Sequence, residues 1–253
     1  DFYLEVRKGN IPFHSIVHKF GAAQAITTVL TPVSTSKLYP TPSVLTNLEI
    51  VSTSANDTAA GSGALTLRIS GISDVNGSWT EQEIDIALNG LTPVALPNGM
   101  WRVFRMHVLS SGTYANSTAG SHNSTITLRV AGAGATWHVI NTEAGFGLGQ
   151  TEIGVYTIPA GKTGYILNKH ITTESTKSAT VVLFTRESAN VVVAPFGAMN
   201  LKEIERNLTG NITLNNNVPI LVVPEMSDVG FMAKSITSTT NVSVHFEILL
   251  IDN

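Results

Sequence analysis

There is no cysteine in this sequence, which removes disulfide frameworks, thiolate metal sites and cysteine nucleophiles from consideration. Charge is scarce too: Asp, Glu, Lys and Arg make up 13% of the chain, about half the share of roughly 25% usual in globular domains. Fifteen Lys and Arg stand against eighteen Asp and Glu, and no basic block gathers anywhere. A phosphate-neutralising face is therefore not expected, and nucleic acid is not an expected partner. No apolar run approaches the roughly 18 residues of a spanning helix. The opening DFYLEVRKG lacks the apolar core of a signal peptide, so no membrane partner is expected either.

Helical periodicity is also missing. Beyond residue 26 no eleven-residue window sustains an apolar stripe at i, i+3, i+4 and i+7, and no helix is predicted. What stands in its place is period-2 alternation bounded by Gly, Asn, Asp and Ser. Residues 48–96 hold three such runs, at 48–53, 64–70 and 80–88. In the second, Leu65, Leu67 and Ile69 oppose Thr66, Arg68 and Ser70; in the third, Ile84, Ile86 and Leu88 oppose Glu81, Glu83 and Asp85. This is an antiparallel meander with one dry and one wet side. Further strands are predicted at 26–30, 100–109, 124–130, 152–158, 163–173, 180–187, 199–206, 218–223, 229–237 and 241–251. Of these, 200–206 could instead form a helical turn.

Turn signals every 8 to 12 residues are the spacing of a sandwich or jelly roll. With 253 residues and 43% apolar content the chain can bury one large core or two modest ones. AGAGA at 131–135 and GFGLG at 145–149 look most flexible, and the first marks the predicted boundary. The expected fold is all-β: two tandem antiparallel β-sandwich, jelly-roll-like domains, residues 22–135 and 136–253, behind an extended N-terminal arm, residues 1–21. Gly9 and Pro12 interrupt any long element in that arm. Arms of this kind pair with the edge of their own sheet or reach a neighbouring subunit.

Candidate chemistry is thin. His14 and His18 would share one face of a helix and could ligate a metal, but Pro12, Ile16 and Val17 disfavour a helix and no third ligand lies near. Asp74-Val75-Asn76-Gly77-Ser78 begins like a calcium loop yet lacks its final Glu, and Asn76-Gly77 reads better as a hairpin turn. The stripe Glu81, Glu83, Asp85 is expected as a solvated outer face, with a divalent-cation contact as the alternative. Trp79, Trp101, Trp137, Tyr114, Tyr156 and Tyr165 could line a sugar groove, although core or interface anchoring is the expected role of most. Seven N-x-S/T sequons arise from the abundance of Asn, Ser and Thr. No nucleophile elbow, Walker loop or dinucleotide fingerprint is present. No enzymatic activity, cofactor or metal is expected.

The arm DFYLEVRKGNIP with HSIVHKFG, then SANDTAAGSGALTLRISGI, WTEQEI and LNGLTPV, resembles a family of virion structural proteins of tailed marine bacteriophages. YTIPAGKTGYI and the closing VSVHFEILLID extend the resemblance over most of the chain. One departure is local: the family pattern has a glycine after the proline of the arm, and this chain has Phe13. The resemblance implies a virion location and a structural role. The expected role is a capsid-associated decoration or vertex protein, forming a homo-oligomer and gripping other virion proteins through its arm. The arm residues offered for that contact are Phe2, Tyr3, Arg7, Lys8, His14, His18 and Phe20. The alternatives are a tail or spike receptor-binding protein recognising host surface glycans and, more weakly, a carbohydrate-active enzyme.

Overall fold

The computed structural model describes residues 1–116, 118–215 and 218–253, and among them it is built from antiparallel sheets with one short α-helix. The chain divides into two compact units. Unit 1 comprises Asp1–Lys37 together with Ile153–Asn253, and unit 2 is Leu38–Glu152. The two units are therefore nested in sequence. Breaks expected at 21/22 and 135/136 fall, respectively, inside the strand His14–Ile26 and within the hairpin joining Ile126–Val130 to Thr136–Ile140. Composition marks local flexibility, whereas unit membership is decided by pairing between distant segments, which composition does not report.

Unit 1 holds two sheets. In the first, His14–Ile26 pairs with Thr240–Asp252, which pairs with Lys162–Thr173, which pairs with Asn211–Asn215; Leu221–Val223 also joins Lys162–Thr173. In the second the order is Val155–Ile158, Ser227–Ser235, Ala179–Arg186 and Met199–Leu208, with Thr31–Pro32 added on Ser227–Ser235. Met199–Leu208 is thus an edge strand and not a helical turn. Phe231 of the second sheet meets Phe246 of the first edge-on, 5.3 Å between ring centroids. Ala179–Arg186 is buried on both faces, which is why its sequence reads as a continuous apolar run, VVLF, where strands with a wet side alternate. Gly21 is required by close approach: a Cβ there would lie 2.2 Å from the Gly154 nitrogen and 2.4 Å from the Val33 oxygen.

The N-terminal segment departs from the expected extended arm. Phe2–Arg7 is a helix, capped by the Asp1 carboxylate accepting from the Tyr3 and Leu4 amides at 3.1 and 3.4 Å. Six residues do not sustain a helix alone. This one is held because Val6 packs on Leu167 and Leu249, with Tyr3, Ile11, Ile16, Tyr165 and Ile251 around them. The chain then turns through Phe13, whose φ of 63° is the left-handed conformation that glycine adopts freely. Phe13 thus holds a turn that a glycine would hold without strain. Beyond it, His14–Ile26 pairs along its length with Thr240–Asp252.

Unit 2 also holds two principal sheets: Val94–Ala95, Leu48–Ser52, Ile126–Val130 and Thr136–Ile140 in one, and Thr80–Ala87, Ala64–Ser73 and Arg102–Ser111 in the other. One apolar core draws on both, with Leu48, Ile50, Ile126 and Leu128 from the first and Leu67, Ile69, Ile84, Ile86 and Met106 from the second. Of the residues expected on the dry faces at 64–70 and 80–88, Leu67, Ile69, Ile84, Ile86 and Leu88 are buried here, whereas Leu65 is only half-buried and Ala64 takes a core place instead, where the pairing with Arg102–Ser111 shifts register. The loops are fastened by Asp57, whose side chain is shut off from solvent. It accepts from the Ser52 hydroxyl at 2.7 Å and from the amides of Ala64, Asn123 and Ser124 at 3.0, 2.8 and 3.2 Å. Replacing Asp57 by alanine strands four donors, and we expect a loss of about 3 kcal/mol. All three tryptophans lie in unit 2, so their fluorescence during urea unfolding reads this loss directly.

Candidate functional site

The seven arm residues fall into two groups on unit 1. Phe2, Tyr3 and His14 come together: the Phe2 ring sits edge-on to Tyr3 at 5.4 Å and to His14 at 5.6 Å. The His14 Nδ1 atom lies 2.7 Å from the Pro12 carbonyl oxygen. His18 and Phe20 lie further along the same strand, beside His245 and His170. Between the groups Arg7 donates to the Glu247 carboxylate, which also accepts from the Asn168 side-chain amide at 2.7 Å. Burial pushes the Glu247 carboxyl up, yet the hydrogen bonds from Arg7 and Asn168 outweigh it and hold the group below the usual carboxylate range. Lys8 pairs with Glu5 at 2.8 Å.

Three large apolar side chains of this segment are exposed among Asp1, Arg7, Lys8 and Asn10. Phe2 and Leu4 are each 47% exposed and Phe13 is 73% exposed. As a metal site the segment fails on distance: His14 and His18 are four residues apart on a strand, about 13 Å.

Other singled-out groups are accounted for within the fold. Arg68 grips Asp85 through two hydrogen bonds of 2.7 and 2.8 Å and reaches Glu83 at 3.2 Å, so the acid stripe is partly neutralised by its own sheet. Hydrogen bonding from Arg68 holds the Asp85 carboxyl below its usual range. The Asp74 carboxylate accepts from the Trp79 amide at 3.1 Å across the 74–79 turn. Trp79 and Trp137 are buried, and Trp79 stacks on Trp101 at 5.7 Å; Tyr156 is fully buried, so these rings do not line one groove. Among the described residues no group of three or more His, Asp or Glu side chains is arranged to hold a metal ion.

Sequence reasoning passed over three groups. His170 and His245 occupy ordinary wet-side positions, and nothing local says that they meet. Lys169 is 2% exposed and pairs with Glu203 and Glu205 on the opposite sheet. Glu49 fastens the AGAGA turn, accepting from the Gly132 and Ala133 amides at 3.1 and 3.0 Å and from Arg129 at 2.7 Å.

No family model and no curated protein sequence matches the chain. Weak structural likeness runs to viral capsid proteins. A structure of the infectious bursal disease virus Gx strain has a TM-score of 0.22 and 8% identity over 95% of this chain and 71% of that one. The infectious bursal disease virus VP2 subviral particle has a TM-score of 0.19 and 7% identity over 94% and 76%. The PBSX exported protein XepA is comparably similar, with a TM-score of 0.20 and 11% identity over 91% and 86%. At such scores these likenesses carry no argument about function.

The Glu49 contacts generate a prediction with a defined sign. Hydrogen bonds from Gly132, Ala133 and Arg129 hold its carboxyl below the usual range. Their stabilisation is complete above that range and is lost as pH falls through the depressed value. Amide exchange at Gly132 and Ala133, corrected for intrinsic rate, should accelerate about tenfold in Glu49→Ala at neutral pH. The wild type should approach that rate only in strong acid.

Proposed function

We propose that this chain is a non-enzymatic structural component of a viral particle, a capsid-associated decoration or vertex protein that docks through its N-terminal segment. The observation that carries this reading is the strand order of unit 1. Take in chain order His14–Ile26, Val155–Ile158, Lys162–Thr173, Ala179–Arg186, Met199–Leu208, Asn211–Asn215, Ser227–Ser235 and Thr240–Asp252. One sheet then runs first, eighth, third, sixth, and the other second, seventh, fourth, fifth. We read that interleaving as a jelly roll, an architecture used by capsid domains and also by lectins and cupins. Unit 2 is read as a second sandwich of different order, carried between the first and second jelly-roll strands.

Architecture alone does not choose among these uses. The resemblance of the arm and the 48–96 meander to virion proteins supports the structural role, as does the exposed apolar surface of Phe2, Leu4 and Phe13. The partners are other virion proteins or further copies of this chain. Burial of Trp79 and Trp137 speaks against a glycan-binding groove at those positions.

The test separates docking from folding. Deleting residues 1–21 would remove most of the edge strand His14–Ile26, so a surface change is cleaner. Phe13→Gly keeps the left-handed turn and, combined with Phe2→Ser, removes the exposed rings. The double variant should melt within a few degrees of wild type and lose incorporation into particles lacking this protein, scored by cryo-electron microscopy. Undiminished incorporation refutes docking through this segment. Shortened products after incubation with host polysaccharide refute the non-enzymatic reading.

A further inference from the structure

Beside the N-terminal helix, the first sheet of unit 1 carries a cluster of rings from three adjacent strands. The His245 ring lies 6.1 Å from His18, 6.0 Å from Phe20 and 6.0 Å from His170, centroid to centroid. Phe20 stacks on His245 at an interplanar angle of 25°. His170 meets a hydroxyl at each ring nitrogen, Thr213 at Nδ1 and Thr172 at Nε2.

The charged groups on the surrounding elements do little to compensate these imidazoles. Glu247 stands opposite His18 in the pairing of His14–Ile26 with Thr240–Asp252, and it is engaged by Arg7. Glu5 and Lys8 of the helix pair with each other, as do Lys162 with Asp252 and Glu174 with Lys177. Lys19 and Lys169 alternate with His18 and His170 and are buried on the other face of their strands. His14 lies against Pro12 and Phe2. Asn211–Asn215 contributes no charge. Three imidazoles thus face a single carboxylate that is already bound.

We propose that His18, His170 and His245 form a proton-operated switch: uncharged, they pack the sheet face; protonated, they repel one another and loosen the strand His14–Ile26 together with the helix joined to it. The strand yields because it is an edge, paired only to Thr240–Asp252, whereas Lys162–Thr173 is held on both sides. The direction is set by His245. Although the residue is exposed, partial desolvation of the ring first, then the charges of His18 and His170, hold its imidazole below the ordinary histidine range. The fold therefore binds that proton less readily than the unfolded chain does. Stability is intact above about pH 6.5, falls as pH drops below it, and levels off once His245 is protonated in the fold as well.

That the loosening would act on docking rests on the function proposed above; the switch itself is a property of the isolated chain, and there it is tested. Hydrogen exchange of the full-length protein is followed by mass spectrometry at pH 7.5 and 5.5, corrected for intrinsic rates, in wild type, His18→Gln and His245→Gln. Imidazole titrations are recorded by NMR. In wild type, protection over residues 14–26 should fall several-fold on acidification; unit 2 carries its own acid-sensitive imidazole at His107, so the comparison is made between wild type and variants over residues 14–26. Each variant should lose most of that response. His18 is solvent-exposed, so its replacement leaves the neutral-pH fold in place. In His18→Gln, His245 should titrate at a higher pH than in wild type. An equal acid response in wild type and both variants, or no response in wild type, overturns the switch. Particle incorporation does not enter the measurement, so a failure of the docking reading stays distinguishable.

Discussion

The architecture of unit 1 depends on one non-local pairing, Thr240–Asp252 lying between His14–Ile26 and Lys162–Thr173. Its register runs from His14 opposite Ile251 to Ile26 opposite Thr240. Until these segments meet, the sheet has no centre and the N-terminal helix has no floor, since Leu249 and Leu167 form that floor. Such long-range pairing makes a high-contact-order, slow-folding topology. It also explains how residues 38–152 can be interposed. Ser34 bridges Ile153, and the Gly154 amide donates to the Val33 carbonyl at 2.8 Å, so the chain leaves unit 1 and re-enters it at neighbouring points. A segment whose ends are already joined by hydrogen bonds adds little closure cost to its host.

Within that frame, a chain with few charges uses them mostly as fasteners. Asp57 ties two loops, Glu49 ties a turn, and Arg68 spans two strands of one sheet. Lys169 is the most exposed to failure, because it is buried and reaches across to Glu203 and Glu205 on the other sheet. Such a contact adds little net stability beside apolar packing, yet losing Lys169 leaves two carboxylates with no cation between them. It has a second consequence. Glu203 and Glu205 face inward from the edge strand Met199–Leu208, and inward-pointing charge is a recognised guard against edge-to-edge aggregation.

The same distinction governs what the sequence made legible. Strands with one wet side, such as Ala64–Ser73 and Thr80–Ala87, announced themselves by alternation, and their dry residues are in the core except Leu65, which a register shift leaves half-buried. Ala179–Arg186 was legible as a strand through its β-branched run. The helix Phe2–Arg7 was not, since six residues hold one full turn and a cap, too little to establish a period. The ring cluster was invisible for a different reason. His18, His170 and His245 are far apart in the chain, and only the register of two strand pairs brings them into contact.

The N-terminal helix is therefore the element least able to stand by itself. Its backbone depends on one aspartate cap, its packing on Val6, and its charge pairing to the sheet on Arg7 reaching a carboxylate shared with Asn168. Local opening of such an element costs far less than opening of the sheet beneath it. The exposed apolar side chains of Phe2, Leu4 and Phe13 thus sit where the backbone can adjust most easily, on a floor that is itself rigid. A contact made there gains apolar burial without disturbing the core between the two sheets of unit 1. It is also the contact that a change in the charge of the neighbouring imidazoles would reach first, because His14–Ile26 joins the two.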